Sequence, residues 1–298
     1  MLRVQQGFSP LTSTVHVIGA SGRSGAALVR ALLARGIAVQ PVARDPRRWQ
    51  AAGVAPHPLL APLRIADLTD SFDLRAALAD ASRIVSTAHA RTTNFLLEEA
   101  PPGARLVLLG STRRYTRWLD KHGEGVLRGE TELLGSGRPG VMLHPTMIYG
   151  AEGENNVRRL AALLKRLPIL PLPGGGRALV QPIHQDDVTA CIVAALDVPW
   201  TEPRTLTIAG PAPLPYADFV RAVAAAAGLR QPRIAAVPAG ILMALAPIAA
   251  RVPGLPAVSP DEIRRLQEDK AFDISPMFAT LGVRPMPLAE GLARTFQS

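Results

Sequence analysis

The segment Gly19-Ala20-Ser21-Gly22-Arg23-Ser24-Gly25 has the residue types and spacing of a phosphate cradle. Gly19 lets the backbone turn sharply, Gly22 lets a pyrophosphate approach the main chain, and Gly25 lets a following helix pack on a strand. The chemistry is anion binding by the unpaired N–H groups and positive end of that helix. Ser21 and Ser24 belong to the same expected binding turn. Arg23 stands in the first helical turn, where the dipole opposes a cation unless an anion lies close.

A dinucleotide is the ligand this turn predicts, because a strand precedes it and a helix follows. The next expected strand ends Pro41-Val42-Ala43-Arg44. A carboxylate at that point binds the ribose 2′-hydroxyl of NAD, whereas an arginine accommodates the 2′-phosphate of NADP. Arg44, with Arg23, therefore predicts NADP(H) as the preferred cofactor. Asp45, one residue on, leaves NAD(H) open.

Other polar groups have plainer expected roles. The histidines, His16, His57, His89, His122, His144 and His184, show no HxxH or HExxH spacing, so no metal site is expected. His89, just beyond the fourth expected strand, either faces a substrate or sits on a surface loop. Asp186 and Asp187 fall at the start of a helix and read as caps, Asp187 as its N-cap. Pro173-Gly174-Gly175-Gly176 reads as a hairpin turn rather than a second phosphate loop, since no helix follows directly. Cys191 is the only cysteine, which excludes a disulfide scaffold and fits a buried packing role and a cytoplasmic address.

The elements that must position these groups alternate. Strands are expected at Thr14–Ile18, Ile37–Val42, Leu63–Ala66, Ile84–Thr87 and Arg105–Leu109, with helices at Ser24–Arg35, Phe72–Ala81 and Thr93–Glu99 between them. That order predicts βαβ units and a Rossmann-type, doubly wound parallel α/β sheet. After a strand at Val141–Leu143 come helices around Val157–Leu167, Asp187–Leu196, Ala217–Ala227, Ala239–Ala250 and Asp261–Asp269, with a strand at Arg204–Ala209. The expected division is an N-terminal arm (1–13), a nucleotide-binding domain (14–150 plus 180–210) and a smaller C-terminal substrate lobe (151–179 plus 211–298).

Composition narrows the function classes. Across 298 residues, 33 Lys+Arg against 24 Asp+Glu give a net charge of +9, yet the only lysines are Lys121, Lys165 and Lys270. The arginine excess goes with abundant Ala, Leu and Pro, as in a GC-rich genome, and is scattered in short groups. With aromatic residues at 4%, stacking platforms are few, and nucleic-acid binding is not expected. Residues 1–14 lack the basic and apolar regions of a secretory signal. The uncharged run Ile234–Ala250, broken by Pro238, Gly240 and Pro247, is short for a spanning helix. Its Ile241–Ile248 part is expected in the core or as the lid of an apolar pocket; membrane contact is the less favoured reading.

The sequence resembles the short-chain dehydrogenase/reductase superfamily, in its extended or atypical branch of NAD-dependent epimerase/dehydratase-like, NAD(P)H-binding proteins. The glycine turn matches GxxGxxG, and Asp67 with Leu68 matches the acidic position that contacts adenine. Ile84-Val85-Ser86-Thr87-Ala88 matches the strand beneath the nicotinamide ribose, and Leu108-Leu109-Gly110-Ser111-Thr112 the strand that carries the active-site serine. His144-Pro145-Thr146-Met147-Ile148-Tyr149-Gly150 resembles RPxxxYG, and Gln181–Val188 the segment that follows it. The resemblance implies that Gly19–Gly25, Arg44, Asp67, Leu68, Thr87, Ala88, His89, Arg128, His144, Pro145 and Thr146 bind the cofactor.

The family's hydride-transferring members use a YxxxK pair. Counted from Ser111, with Arg128-Gly129-Glu130-Thr131-Glu132 standing for KxxxE, that pair falls on Glu124 and Arg128. Arg128 can hold ribose hydroxyls but is no acid at neutral pH, and Glu124 acts as a base only if burial raises its pKa. Tyr115 and Tyr149 are further candidates. The expected function is an NADP(H)-dependent oxidoreductase or epimerase-like enzyme on a small carbonyl or sugar-like substrate, using Ser111 and Tyr115 or Glu124. The alternatives are a catalytically weak NADP(H)-binding sensor or assembly protein, and a quinone- or lipid-linked peripheral protein. A homodimer is the expected assembly, if any.

Overall fold

A computed structural model describes residues 13–150, 156–167, 169–249, 251 and 259–297. The strands are β1 (Val15–Ile18), β2 (Val39–Ala43), β3 (Arg64–Ile65), β4 (Arg83–Ser86), β5 (Arg105–Leu109), β6 (Gly140–Pro145), β7 (Ile148–Tyr149), β8 (Ile169–Pro173), β9 (Leu179–Val180), β10 (Ile183–His184), β11 (Pro203–Ile208), β12 (Leu214–Pro215) and β13 (Arg233–Val237). A 7-stranded sheet runs in the order β11-β6-β5-β4-β1-β2-β3. Every neighbouring pair in it is parallel. The order reverses between β1 and β4, and in such sheets ligands bind outside the carboxyl ends of the strands at that point.

Strand alternation splits the sheet's side chains between two cores. Val15, Val17, Val39, Val85, Val107 and Val141 pack on one face against α1 (Arg23–Ala34), α7 (Gln185–Asp197) and α11 (Ser275–Leu281). Ile18, Val42, Ile84, Leu106 and Met142 pack on the other against α3 (Ser71–Leu78), α4 (Thr93–Glu99) and α5 (Lys121–Gly135). In α1, Leu28, Val29, Leu32 and Leu33 form the buried stripe, and Gly36 supplies the left-handed residue just after the helix. Asp45 caps α2 (Pro46–Ala51), and Asp70 caps α3.

The C-terminal part adds α6 (Asn156–Arg166), α8 (Tyr216–Ala226), α9 (Ala239–Ala249), α10 (Pro260–Arg265) and α12 (Leu288–Gln297), with paired strands β7/β10, β8/β13 and antiparallel β9/β12. Its core joins Tyr149, Val157, Phe219, Val223 and Leu292.

Several expectations change here. Helix α7 starts at Gln185, and the His184 ring, accepting the Asp186 N–H at 3.1 Å, is its cap in place of Asp187. Gly174–Gly176 is a tight turn of left-handed glycines, but β8 and β9 on either side pair elsewhere, so it is no hairpin. The apolar run from Ile234 divides into a strand and α9. On α9, Ile241, Leu245 and Ile248 are exposed at helical spacing rather than in a core. The helix expected to reach Asp269 stops at Arg265. No helix among the described residues is long and apolar enough to cross a membrane.

Candidate functional site

The glycine turn lies at the β1–β4 seam. Gly19 has φ +76°, and its N–H and that of Ala20 donate to the Val42 carbonyl at 3.0 and 3.2 Å. A Cβ at Gly19 would come within 2.9 Å of Thr87 Oγ1 and 3.0 Å of the Ala88 nitrogen, and one at Gly25 would overlap the Gly19 carbonyl. Thr87 locks the seam by donating from its hydroxyl to the Ile18 carbonyl at 3.0 Å. No side chain caps α1, whose N-cap is Gly22, and the positive end of a helix is where an anion binds. Ser21 is half-buried beside them. Ser24 spends its hydroxyl on Gln185 Oε1 at 2.9 Å, which ties α1 to α7. Such a turn fits a dinucleotide pyrophosphate: bare glycines let strand, turn and helix pack this closely, which sets the helix's positive end at the seam.

At the end of β2, Arg44 is exposed and its guanidinium lies 3.6 Å from Asp67. Asp45 is committed elsewhere: one carboxylate oxygen accepts the N–H groups of Arg47 and Arg48 at 2.9 and 3.3 Å. Asp67 accepts the N–H and hydroxyl of Thr69, and these bonds, with Arg44 adding to them, hold its pKa below the usual carboxylate value. Leu68 is half-buried against the second core.

Beyond β4, Ala88 rests on the second core and His89 begins a short turn. His89 Nδ1 accepts the Arg91 N–H at 3.0 Å, and its Nε2 lies 2.9 Å from Nδ1 of His122, the rings meeting edge to face. Beyond β5, the Ser111 hydroxyl accepts the Arg113 N–H at 3.2 Å while its own N–H donates to His144 Nδ1 at 3.2 Å. His144 is fully buried, with Nε2 2.9 Å from Glu130 at an oblique angle, and Arg114 approaches the same carboxylate oxygen at 2.6 Å. Pro145 and Thr146 are buried too, and the Thr146 hydroxyl donates to the Gln181 carbonyl. His144, Pro145 and Thr146 thus back the Ser111 loop from inside the protein. Tyr115 is 46% exposed, with its hydroxyl 3.3 Å from Thr207 and its ring stacked near Phe272 and under Arg114. Tyr149 is buried against His184, and burial pushes its phenol pKa up.

Helix α5 sorts its residues by face. Glu124, Arg128 and Glu132 follow one another at four-residue steps on the outer side; Glu124 and Arg128 are exposed. Arg128 pairs with Glu132 at 3.3 Å and donates to the Arg91 carbonyl at 3.1 Å. The opposite row is His122, Val126 and Glu130, of which Val126 and Glu130 are buried. Counting KxxxE and YxxxK back from Glu130, the acid that meets His144, lands on Val126 and His122. Sequence counting ran from Glu132; the burial of Glu130 marks a second row of the same helix, visible only in the fold.

A strip from the C-terminal part covers the Ser111 loop. Glu268 accepts the Thr116 hydroxyl at 2.5 Å and the Arg117 N–H at 2.7 Å, and Arg265 meets Asp120 at 3.4 Å. Asp187 holds the Met286 N–H at 3.1 Å, and burial raises its pKa.

Fold and turn together define a Rossmann-type α/β protein with a glycine-rich, dinucleotide-type turn at the β1–β4 seam. Residues 19–121 match the family model described as NAD(P)H-binding. The fold is shared with a UDP-glucuronic acid 4-epimerase from Bacillus cereus in complex with UDP-glucuronic acid and NAD (TM-score 0.71, 17% identity, covering 96% of this chain and 98% of that one). It is shared as well with an NADPH-dependent quinone oxidoreductase from Escherichia coli (TM-score 0.72, 19% identity, 95% and 99%). A third is a short-chain dehydrogenase/reductase superfamily protein from Agrobacterium tumefaciens with bound NAD (TM-score 0.67, 18% identity, 96% and 97%). No curated protein sequence matches the chain. The match over residues 19–121 supports the expected NAD(P)H-binding resemblance for that part of the chain, and at these identities the structural likeness is one of fold.

Proposed function

We propose that the protein is a cytoplasmic, NADP(H)-dependent oxidoreductase that acts on a small, fairly apolar carbonyl compound. The observation that carries the reading is the cradle at the β1–β4 seam, followed at the end of β2 by Arg44 while Asp45 is occupied in capping α2. Gly19–Gly25 would hold the pyrophosphate, Arg44 the 2′-phosphate, Asp67 the adenine side, and Thr87 to His89 the nicotinamide side. When bound, a nicotinamide supplies or takes up a hydride. Ser111 accepts its hydrogen bond from Arg113 and so keeps its own hydrogen for a substrate oxygen. Tyr115 and Phe272 form an aromatic wall beside that loop.

Fluorescence titration of the purified protein with NADPH and NADH, followed by a turnover screen over aldehydes, ketones and quinones, tests this. Tight NADPH binding with consumption in the presence of one class of substrate is the expected result; binding without turnover across the screen replaces it with the sensor or assembly reading. That second reading is favoured by one observation, the solvent-side placement of Glu124 and Arg128 on α5. The peripheral reading draws on the exposed apolar face of α9, and co-sedimentation with anionic liposomes at low salt distinguishes it.

A further inference from the structure

The fold brings together two histidines that lie 33 positions apart in the chain. His89 Nδ1 accepts the Arg91 N–H, so in the neutral ring the proton sits on Nε2. That Nε2–H donates to His122 Nδ1 at 2.9 Å, which places the proton of neutral His122 on its own Nε2. His122 is exposed, and its Nε2 has no protein partner among the described residues. His122 heads the inner row of α5, the row of Val126 and Glu130, and directly precedes Gly123, which packs on the Arg113 carbonyl. Its partner His89 follows directly on Ala88, whose backbone nitrogen is against the glycine turn.

We propose that His122, oriented by His89, donates the hydrogen bond that holds the reacting oxygen of a carbonyl or quinone substrate. The assignment rests on the oxidoreductase reading above. The ring acts as a neutral donor and keeps its proton: a hydride from reduced nicotinamide would go to the substrate, the negative charge developing on the oxygen is stabilised where it forms, and water would supply the proton that completes the product. His89 is the positioning residue: it fixes the tautomer and the ring plane. The surrounding charges agree with a neutral pair. Loss of water on the side of the ring that packs on His89 comes first, then Arg113, in lowering the His122 pKa, with Arg91 adding to this and Asp120 opposing it. His89 is pushed down to about 4 by burial, His122 and Arg91.

The test uses the full-length protein, saturated with NADP+, and 9,10-phenanthrenequinone as the probe. Imidazole proton–nitrogen NMR should show His122 as the Nε2–H tautomer, and its Nε2 signal should move on adding the quinone while that of His57 stays put. In His89→Gln the tautomer signature of His122 should be lost. With NADPH and the same quinone, His122→Asn should lower kcat about 100-fold, with the NADPH Kd unchanged within about twofold. A His122 Nε2 signal indifferent to the quinone, or a His122→Asn enzyme with wild-type kcat, overturns the assignment. If the wild-type protein turns over nothing, the oxidoreductase reading fails, and the NMR response alone decides whether His122 binds the oxygen.

Discussion

Arg44 and Asp67 form an exposed pair at 3.6 Å, which contributes little on its own and yields readily to a better anion. A 2′-phosphate is such an anion. Replacing Arg44 by Ala should weaken NADPH binding by about 1.5–3 kcal/mol, the range of a hydrogen bond to a charged group, and leave NADH binding unchanged; equal losses for both cofactors would refute the assignment. Asp45→Ala should instead cost about 1 kcal/mol of stability through the lost cap, with no change in cofactor preference. His89 makes a prediction of another kind. Its pKa is about 4 in the folded protein, against about 6.5 for an unperturbed histidine. Between those values the unfolded chain takes up a proton that the folded chain refuses, so stability falls as pH drops from about 6.5 toward 4 and is unaffected above. His16, His122 and His184 are shifted in the same direction. Melting temperatures across that window should therefore decline in the wild type and decline less steeply in His89→Gln.

Among the elements, α1 is where position and packing are least separable. An Ala at Gly25 would drive its Cβ into the Gly19 carbonyl and the Ala20 Cα, neither of which can swing aside. Gly25→Ala should cost about 1–3 kcal/mol or more and abolish cofactor binding, read by melting and by the NADPH titration. Leu32→Ala, buried on the same helix but away from the turn, should cost about 2–5 kcal/mol and leave the cofactor Kd unchanged. The first half of the sheet was legible because β1, α1, β2, β4 and β5 carry strong periodicity and the glycines sit between strand and helix. The rest was not, for identifiable reasons. An apolar run such as Ile234–Val237 reads equally as strand or helix. The two-residue strands β7, β9, β10 and β12 are too short to show a period. His184 caps a helix through a ring nitrogen, which no cap preference anticipates. On α5, charged residues at 124, 128, 130 and 132 offer two registers, and the burial of Glu130 on one of them shows only in the fold.

Taken whole, the molecule is held around its site by polar bonds from distant parts of the chain. Glu268 grips the Thr116 hydroxyl and the Arg117 N–H, Gln181 accepts the Phe272 N–H at 2.8 Å, and Asp187 accepts that of Met286. Glu268→Ala should therefore raise hydrogen exchange at the Arg117 amide and raise the substrate KM, while the NADPH Kd stays within about twofold; slow exchange retained at Arg117 would show that the strip is held by its apolar contacts instead.

The reach of those bonds sets an order of assembly. Thr87 closes on Ile18 across 69 positions, but Thr116 meets Glu268 only across 152. A ribosome therefore releases every residue of the glycine turn well before Glu268, which fastens the Ser111 loop, has been translated. Closing such long loops is slow compared with forming local turns. In a growing chain the glycine turn and Thr87 emerge first, α1 gains its packing against α7 later, and the strip over the Ser111 loop is fastened after that.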